Sequence, residues 1–577
     1  MADLPLHARE NLADAALENL VNQFARPLDF LRELVQNSID AGSPRVEVWL
    51  CYRRGSNGDG VLEIHVDDFG EGMDEHIIDN HLTRLFSSTK EDDLTKIGKF
   101  GIGFTSIFAI QPDAILMRTS RHGESWELLF HPDRSFDKIK SDKMVDGTKL
   151  TLFKKMAEVD VEPFARDSRW ILGWWCEHSN TPVTFWDRTD EEMTESQQTD
   201  DPFAAFAEGT PEQAAGPVQV NRPLDLEGPL SARLTRDGVD AVVAYAEDPR
   251  YGFYNGGLTL VSTRNRDVLG GFEPRLAHLS FKLKSDRLEH TLTRDNVLQD
   301  EHWTKAMRVL HACADALREQ LVERIGAALA NGEELASWHR WLAQECATPE
   351  GAKELVQFQD RPMFRDQSGQ PVTLRQVEEQ EEDQGVVILS GPNDRLRTAL
   401  AEEEVLQLED AVETRDLLLT AWRAPLFAFL DPSRKLATAD EVYVLPDIVE
   451  LGSLVHIERM LVQRVTELLR EAVGRRLSLR VGDYGGPELG PRRPLVLEGP
   501  PDGRVFQRPE ASWLRIPAFL RARCLLLNRH HPFFHLQLTA AAEDLELAAY
   551  CVAQALLHTE DAEGDRVYVK LLEAAAE

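Results

Sequence analysis

The sequence predicts a mixed α/β protein built from several domains. Its 577 residues are enough for roughly three or four domains of ordinary size. Apolar residues make up 42% of the chain, which can fill several separate cores. Near the N-terminus, apolar residues recur at helical spacing over residues 30–41 and then alternate over 45–52 and 61–67. This change of period predicts one helix followed by two strands.

The helix over residues 30–41 carries a polar face as well as an apolar one. Glu33, Asn37 and Asp40 fall at positions i, i+4 and i+7, so they project together from the helix. An amide oxygen such as that of Asn37 can coordinate Mg²⁺. A carboxylate such as that of Glu33 can polarise a water molecule for attack. The same three residues also fit an ordinary surface helix.

The second strand runs into the segment Asp67–Met73, which contains an Asp-x-Gly-x-Gly pattern beginning at Asp68. A carboxylate at this point can accept a hydrogen bond from the amino group of adenine. The glycines let the backbone pass close to the base. The alternative is a simple acidic turn after an edge strand.

The glycine-rich segment Ile97–Phe104 precedes a predicted helix, Thr105–Ile110. Glycines placed before a helix N-terminus let backbone N–H groups close on phosphate oxygens. Upstream, a helix is predicted over residues 74–86, followed by the polar run Ser87–Lys90. Downstream, strands are predicted over 114–119, 126–130 and 147–153, and Thr148 is placed where a hydroxyl can reach a base edge.

Four motifs therefore follow one another between Glu33 and Thr148: Glu-x-x-x-Asn, Asp-x-Gly-x-Gly, Gly-x-x-Gly-x-Gly and Gly-Thr. This ordered set resembles that of the GHKL ATPases, which include Hsp90, gyrase B, MutL, MORC and the histidine kinases. Within that superfamily the chain is most similar to the Hsp90 family. The segments that carry this likeness are Phe30–Leu34, Ser87–Lys90 and Ile97–Ser106. The resemblance implies an α/β (α+β) fold class. The protein would then consist of an N-terminal Bergerat-type ATP-binding α/β sandwich, an α/β middle domain and a mostly helical C-terminal dimerisation domain.

The resemblance also implies ATP and Mg²⁺ as cofactors, and it assigns roles to individual residues. Glu33 becomes the general base, Asn37 the ligand of Mg²⁺ and phosphate, and Asp68 the partner of the adenine amino group. The implied nucleotide-binding set is Asn37, Asp40, Asp68, Gly72, Met73, Asn80, Lys90, Gly98, Gly101, Gly103, Phe104 and Thr148. Only six residues separate Lys90 from Ile97, which implies a lid shorter than is usual in the family.

The resemblance extends along the chain and implies its domain boundaries. They are 1–187 for the ATP-binding domain, 188–216 for an acidic linker, 217–345 and 346–450 for the large and small parts of the middle domain, and 451–577 for the dimerisation domain. Leu288–Gln299 is similar to the segment that delivers an arginine to the γ-phosphate, which makes Arg294 the second catalytic candidate. From the local sequence alone, Arg294 also fits a surface ion pair with Asp295 or Glu301.

The C-terminal region carries further predicted elements. Helices are predicted over 306–330, 374–384, 457–473 and 544–557, and strands over 385–391 and 405–408. The sequence Leu527–Pro532 has the Leu-Asn-x-x-His-Pro order that precedes the interface helices of Hsp90. The resemblance therefore implies a homodimer formed through this region.

Charge and cysteine content narrow the range of possible functions and locations. The formal net charge of −34 argues against general binding of nucleic acid. The six cysteines form no CxxC pair, which is typical of a reduced cytoplasmic protein. No leader peptide and no membrane span is predicted. We therefore expect a cytoplasmic ATP-dependent chaperone acting on client proteins.

Two alternatives stay open at this stage. One is a MutL- or MORC-like clamp acting on DNA, which the short path from Ala41 to Asp68 favours. The other is a nucleotide-gated scaffold for a dedicated partner. A histidine kinase is disfavoured, since no phospho-acceptor helix pair precedes the ATP motifs.

Overall fold

The chain forms two compact units, Met1–Asp315 and Ala316–Glu577. The computed structural model describes residues 27–55, 58–82, 104–190, 216–291, 296–422, 436–473, 477–484, 494–499, 503–508 and 524–556. Mixed helices and large sheets confirm the predicted α/β class. No helix within these described residues is both long enough and apolar enough to cross a membrane.

The first unit is organised around an eight-stranded sheet with the order β5-β4-β3-β6-β2-β1-β7-β8. Its strands are β1 Val46–Arg54, β2 Asp59–Asp68, β3 Ala114–Arg121, β4 Glu124–Phe130, β5 Phe136–Lys140, β6 Thr148–Ala157, β7 Val183–Arg188 and β8 Val218–Gln219. Two long helices accompany it, α1 Phe30–Asp40 and α2 Glu158–Cys176.

The apolar stripe of α1 fixes this helix to the sheet. Phe30, Leu31, Leu34 and Val35 are all buried in the core that they share with the central strands. Strands β1 and β2 pair antiparallel, and Val46 lies opposite Asp68. The apolar residues of α1 must face the sheet, which fixes the orientation of the helix. Its polar residues are therefore held in a fixed position beside the end of β2.

A second sheet in the first unit has five strands in the order β12-β11-β13-β10-β9. Its strands are β9 Ser231–Arg236, β10 Val239–Tyr245, β11 Tyr251–Asn255, β12 Leu258–Thr263 and β13 Leu279–Ser285. The long helix α3, Glu301–Asn331, follows it and ends in the second unit.

The second unit combines helices with three smaller sheets. Its helices of seven residues or more are α4 Ala336–Glu345, α5 Pro349–Leu355, α6 Leu374–Gln384, α7 Asp394–Glu402, α8 Val412–Trp422, α9 His456–Val473, α10 Pro532–Ala541 and α11 Leu545–Leu556, and a short helical turn spans Ala439–Val442. Its strands are β14 Pro362–Arg365, β15 Pro371–Thr373, β16 Val387–Leu389, β17 Leu436–Thr438, β18 Tyr443–Val444, β19 Asp447–Val449, β20 Ser478–Asp483, β21 Val496–Gly499, β22 Phe506–Gln507 and β23 Cys524–Asn528.

The C-terminal part contains more strand than the sequence predicted. A six-stranded sheet, ordered β18-β22-β21-β23-β20-β19, lies there together with α9, α10 and α11. Strand β23 is fully buried, and it is an unbroken apolar run up to its last residue, Asn528. Such a run cannot be assigned to strand or helix by its periodicity. The mostly helical region was expected from the family resemblance, and the local sequence offered no clear signal against it.

Two local predictions were wrong in detail. Residues 405–408 form no strand, and Leu408 makes only isolated bridges to Leu389 and Asp366. Residues 74–82 form two short helical turns, Glu75–Ile77 and Ile78–Leu82, instead of one helix. The apolar spacing also predicts a helix over 9–24 and a last helix near 567–574. Both lie outside the described residues, as do the predictions over 83–103.

Candidate nucleotide-binding site

A cavity of about 420 Å³ opens between α1, the end of β2 and the inner strands of the large sheet. Its volume lies within the usual range of small-molecule sites. Its lining combines apolar walls with a few polar groups: Leu34, Asn37, Ser38, Asp40, Ala41, Val66, Asp68, Glu71, Gly72, Met73, Ile77, His81, Leu82, Phe104, Met117, Arg121, Thr148 and Leu150.

Helix α1 supplies two of the polar groups. Asn37 and Asp40 both line the cavity, and Asp40 accepts a hydrogen bond from Gln36 at 2.9 Å. The side-chain amide of Asn37 forms no hydrogen bond with another described residue, so its oxygen is available to a ligand. Glu33 lies one turn earlier, is half-buried and is not part of the lining.

Asp68 lies at the end of β2 and is held by two backbone donors. Its Oδ1 accepts from the N–H of Gly70 at 2.9 Å and from the N–H of Thr148 at 3.2 Å. Oδ2 has no partner among the described residues, so it remains as an acceptor for a ligand. Burial raises the pKa of Asp68, and the two backbone hydrogen bonds oppose that rise.

The neighbouring Asp67 points to the other face of the sheet, as the alternation of a strand requires. It is 4% exposed and lies 3.5 Å from the amine of Lys149. Burial raises the pKa of Asp67 to about 7, and the nearby Glu47 adds to the rise while Lys149 opposes it. Strand geometry therefore selects Asp68 and not Asp67 as the cavity carboxylate.

Two glycines allow the backbone to close tightly around Asp68. Gly72 and Gly147 have φ values of +65° and +71°, a region that favours glycine. A Cβ at Gly72 would lie 2.1 Å from the carbonyl oxygen of Ser120. One at Gly147 would lie 2.5 Å from the carbonyl oxygen of Asp68 and 2.6 Å from its Oδ1.

Thr119 supports the cavity from beneath, and sequence reasoning missed it. This fully buried residue on β3 accepts a hydrogen bond from the N–H of Met73 at 2.8 Å. Its hydroxyl also lies 3.1 Å from that of Thr148. Thr119 continues the inward-facing series of Ile115 and Met117. A hydroxyl at a core position of this kind was the available signal, since buried polar groups need partners.

The structure brings together half of the predicted site residues. Those that line the cavity are Asn37, Asp40, Asp68, Gly72, Met73, Phe104 and Thr148. Asn80 is exposed, donates its amide to the carbonyl of His76 at 2.9 Å, and is not part of the lining. Lys90, Gly98, Gly101, Gly103 and Arg294 lie outside the described residues.

The apolar lining suits a flat ring, and the rim suits a charged group. Leu34, Val66, Met117 and Leu150 supply apolar surface around Asp68. At the rim, Arg121 forms an ion pair with Glu71 at 2.5 Å. The amide oxygen of Asn37 and the carboxylate of Asp40 are oxygen donors of the kind that Mg²⁺ prefers, so this set fits that ion.

Residues 28–162 match the family model described as "Histidine kinase-, DNA gyrase B-, and HSP90-like ATPase". Relatives include the chaperone protein HtpG of Wolbachia pipientis wMel, 28% identical over 204 residues, covering 32% of this chain and 31% of the relative. The DNA mismatch repair protein MutL of Nitrobacter winogradskyi is 30% identical over 143 residues, covering 23% of each chain. Human sacsin is 25% identical over 149 residues, covering 24% of this chain and 3% of sacsin.

The matched regions thus span about a third or less of these relatives. The family model covers the part of this chain that contains α1, Asp68 and the cavity. Residues 28–162 therefore form an ATP-binding domain of the GHKL superfamily, to which histidine kinases, gyrase B and HSP90 also belong.

Proposed function

We propose that this protein is an ATP-dependent molecular chaperone of the Hsp90 type. The observation that carries the proposal is the cavity in which Oδ2 of Asp68, which has no partner among the described residues, lies beside the polar face of α1. The adenine amino group donates to Asp68, while Met73 and Thr148 lie beside the base. Asn37 holds the phosphates together with Mg²⁺, which supplies positive charge to the triphosphate when bound.

Glu33 acts as the general base for the attacking water. It lies one helical turn before Asn37, so a water near the phosphates comes within reach of its carboxylate. The fixed position of α1 against the sheet supports this role, because a general base has to be held at a defined distance from the reacting atoms.

Arg294 completes the site by neutralising charge on the transferring phosphoryl group. A contact within the first unit supports this role. Arg32, next to Glu33, hydrogen-bonds to His290, four residues before Arg294. The same guanidinium lies 4.3 Å from the ring centre of Trp175. The helix with the base is therefore tied to the segment that leads to the arginine.

ATP-driven closure of a homodimer would then couple hydrolysis to the remodelling of client proteins. The matches to HtpG reach 204 to 217 residues, whereas those to MutL extend over 124 to 143. The longer match and the net charge of −34 favour a protein client over DNA.

The second candidate is an ATPase clamp acting on DNA. It is favoured by the MutL proteins, which are 30% identical to this chain over 143 residues and 33% identical over 124 residues. A salt-dependent DNA-binding titration separates the two candidates, because phosphate contacts weaken steeply as salt rises.

An ATPase assay of the intact protein tests the catalytic part of the proposal. Glu33→Ala should reduce hydrolysis by about a hundredfold or more while ATP still binds, and Arg294→Ala should also slow turnover. Exposed Glu162 provides the control variant Glu162→Ala. Unchanged hydrolysis in Glu33→Ala would remove Glu33 as the base.

An aggregation assay tests the chaperone part of the proposal. A chaperone should suppress aggregation of an unrelated unfolded protein, whereas a dedicated scaffold or a DNA clamp should not.

A further inference from the structure

A second groove in the first unit, of about 460 Å³, lies between α2 and the strands β7 and β8. None of its lining residues contributes to the nucleotide cavity. Helix α2 presents arginines and tryptophans to this groove at helical spacing, so that they share one face.

The groove is positively charged in an otherwise acidic protein. Arg166, Arg169 and Arg222 line it, and all three are exposed. In the part of the chain that the structure describes, the one carboxylate paired with Arg166 is that of its neighbour Asp167, at 3.5 Å. Arg169 and Arg222 form no ion pair with any carboxylate in the described part of the chain. The one acidic residue of the lining, Glu177, already lies 3.7 Å from Lys282.

An aromatic platform lies beside these charges. Trp170 and Trp174 are one turn apart on α2, and their rings stack with centres 5.8 Å apart and planes 12° apart. Trp170 is 52% exposed. A half-exposed tryptophan ring next to arginines forms a surface suited to an aromatic or apolar side chain.

Strand β8 offers a backbone edge along the same groove. It is the last strand of the eight-stranded sheet and pairs only with β7 among the described residues. Val218 and Gln219 of this strand line the groove. An edge that carries no further strand within the described residues can accept one from a partner through main-chain hydrogen bonds.

We propose that this groove binds an extended acidic peptide segment of a partner protein, one that carries an aromatic side chain. The carboxylates of the peptide pair with Arg166, Arg169 and Arg222, since a guanidinium matches a carboxylate with two parallel hydrogen bonds. Its ring packs on Trp170, and its backbone adds to β8. A nucleic acid is disfavoured, because Glu177 lies in the wall and a net charge of −34 repels a phosphate chain.

Fluorescence anisotropy on the full-length protein tests the proposal. The probe is a short labelled peptide of glutamates with two phenylalanines. We expect binding that weakens with salt. The double variant Arg169→Ala/Arg222→Ala and the single variant Trp170→Ala should each weaken it by about tenfold or more. Trp170→Phe should retain most of the affinity, since a flat ring remains. Arg236→Ala, an exposed arginine on β9, is the matched control and should bind as the wild type does.

Three results would overturn the proposal. They are the absence of peptide binding, binding that the groove variants leave unchanged, and displacement of the peptide by a single-stranded oligothymidine that itself depends on Arg169 and Arg222. The last result would make the groove a nucleic-acid site. ATP binding measured on the same variants keeps this test separate from the proposed function, because the groove shares no residue with the nucleotide cavity.

Discussion

At the scale of single residues, the hydrogen bonds of Asp68 define what its replacement should do. The two backbone donors, Gly70 and Thr148, both point at Oδ1. In Asp68→Asn the amide oxygen has to satisfy them, so the NH₂ group takes the place of Oδ2. A donor then faces the adenine amino group, which is also a donor. We expect ATP affinity to fall by about a hundredfold or more, which corresponds to about 3 kcal/mol.

Isothermal titration calorimetry measures this effect, and the chain supplies a closely matched control. Asp67→Asn makes the same chemical change one residue away, on the opposite face of the sheet. It should leave ATP affinity intact. An Asp68→Asn protein that binds ATP normally would contradict the adenine contact.

Asp67 itself predicts a pH dependence of stability. Its pKa of about 7 in the folded protein is above the value of about 4 expected in the unfolded chain. The folded state therefore holds this proton more tightly, and the contribution of Asp67 to stability falls as pH rises from about 4 to 7.

Asp67→Asn should consequently stabilise the protein at pH 8, by on the order of 2 kcal/mol. It should have little effect at about pH 3 or below, where the carboxyl is protonated in both states. Thermal unfolding of both proteins across this pH range measures the difference. An equal effect at both ends of the range would exclude the buried carboxyl as its cause.

At the scale of elements, the turn before β6 determines whether Asp68 can adopt its position. Gly147→Ala places a methyl group 2.6 Å from Oδ1 of Asp68 at a positive φ. It should displace the carboxylate, abolish measurable ATP binding and destabilise the fold by about 1 kcal/mol or more.

Gly123, in the turn between β3 and β4, provides the control for backbone strain. Its φ is +83°, but a Cβ there would meet no atom within 4 Å. Gly123→Ala should therefore share the strain and keep ATP binding, as titration calorimetry of both variants can establish. Loss of binding in both variants would point to general destabilisation instead of the contact with Asp68.

The same elements indicate how far the sequence alone could lead. The period of α1 and the alternation of β2 are local, so the helix, the strand and the cavity residues Asn37 and Asp68 could be predicted. For Thr119 the sequence offers only a hydroxyl at a core position, and its role at the site depends on β3 lying beside β6. Helix α2 was also not predicted, although it spans Glu158–Cys176 and carries Pro163. The arginine and tryptophan groove depends on its packing against β7 and β8, which no local pattern reveals.

At the scale of the whole molecule, the proposed dimer has a testable surface. Leu536 on α10 and Leu547 on α11 are 64% and 60% exposed, although both helices bury their other faces in the core. The double variant Leu536→Glu/Leu547→Glu should convert a dimer to monomers and slow ATP hydrolysis, since charge opposes burial at an interface.

Sedimentation velocity measures the mass of this variant. Val159→Glu is the control, because Val159 is 81% exposed and lies on α2 in the first unit. It should remain dimeric. A double variant that still sediments as a dimer would exclude these leucines from the interface.

Oδ1 of Asp68 already accepts two backbone hydrogen bonds, and this affects which base the cavity can bind. Oδ1 is occupied by backbone donors, so only Oδ2 can meet the edge of a purine. Where adenine has an amino group, guanine has a carbonyl oxygen, and two acceptors would then face each other without a proton between them. The cavity should therefore discriminate ATP from GTP through an oxygen that pairs with no other group in the described residues.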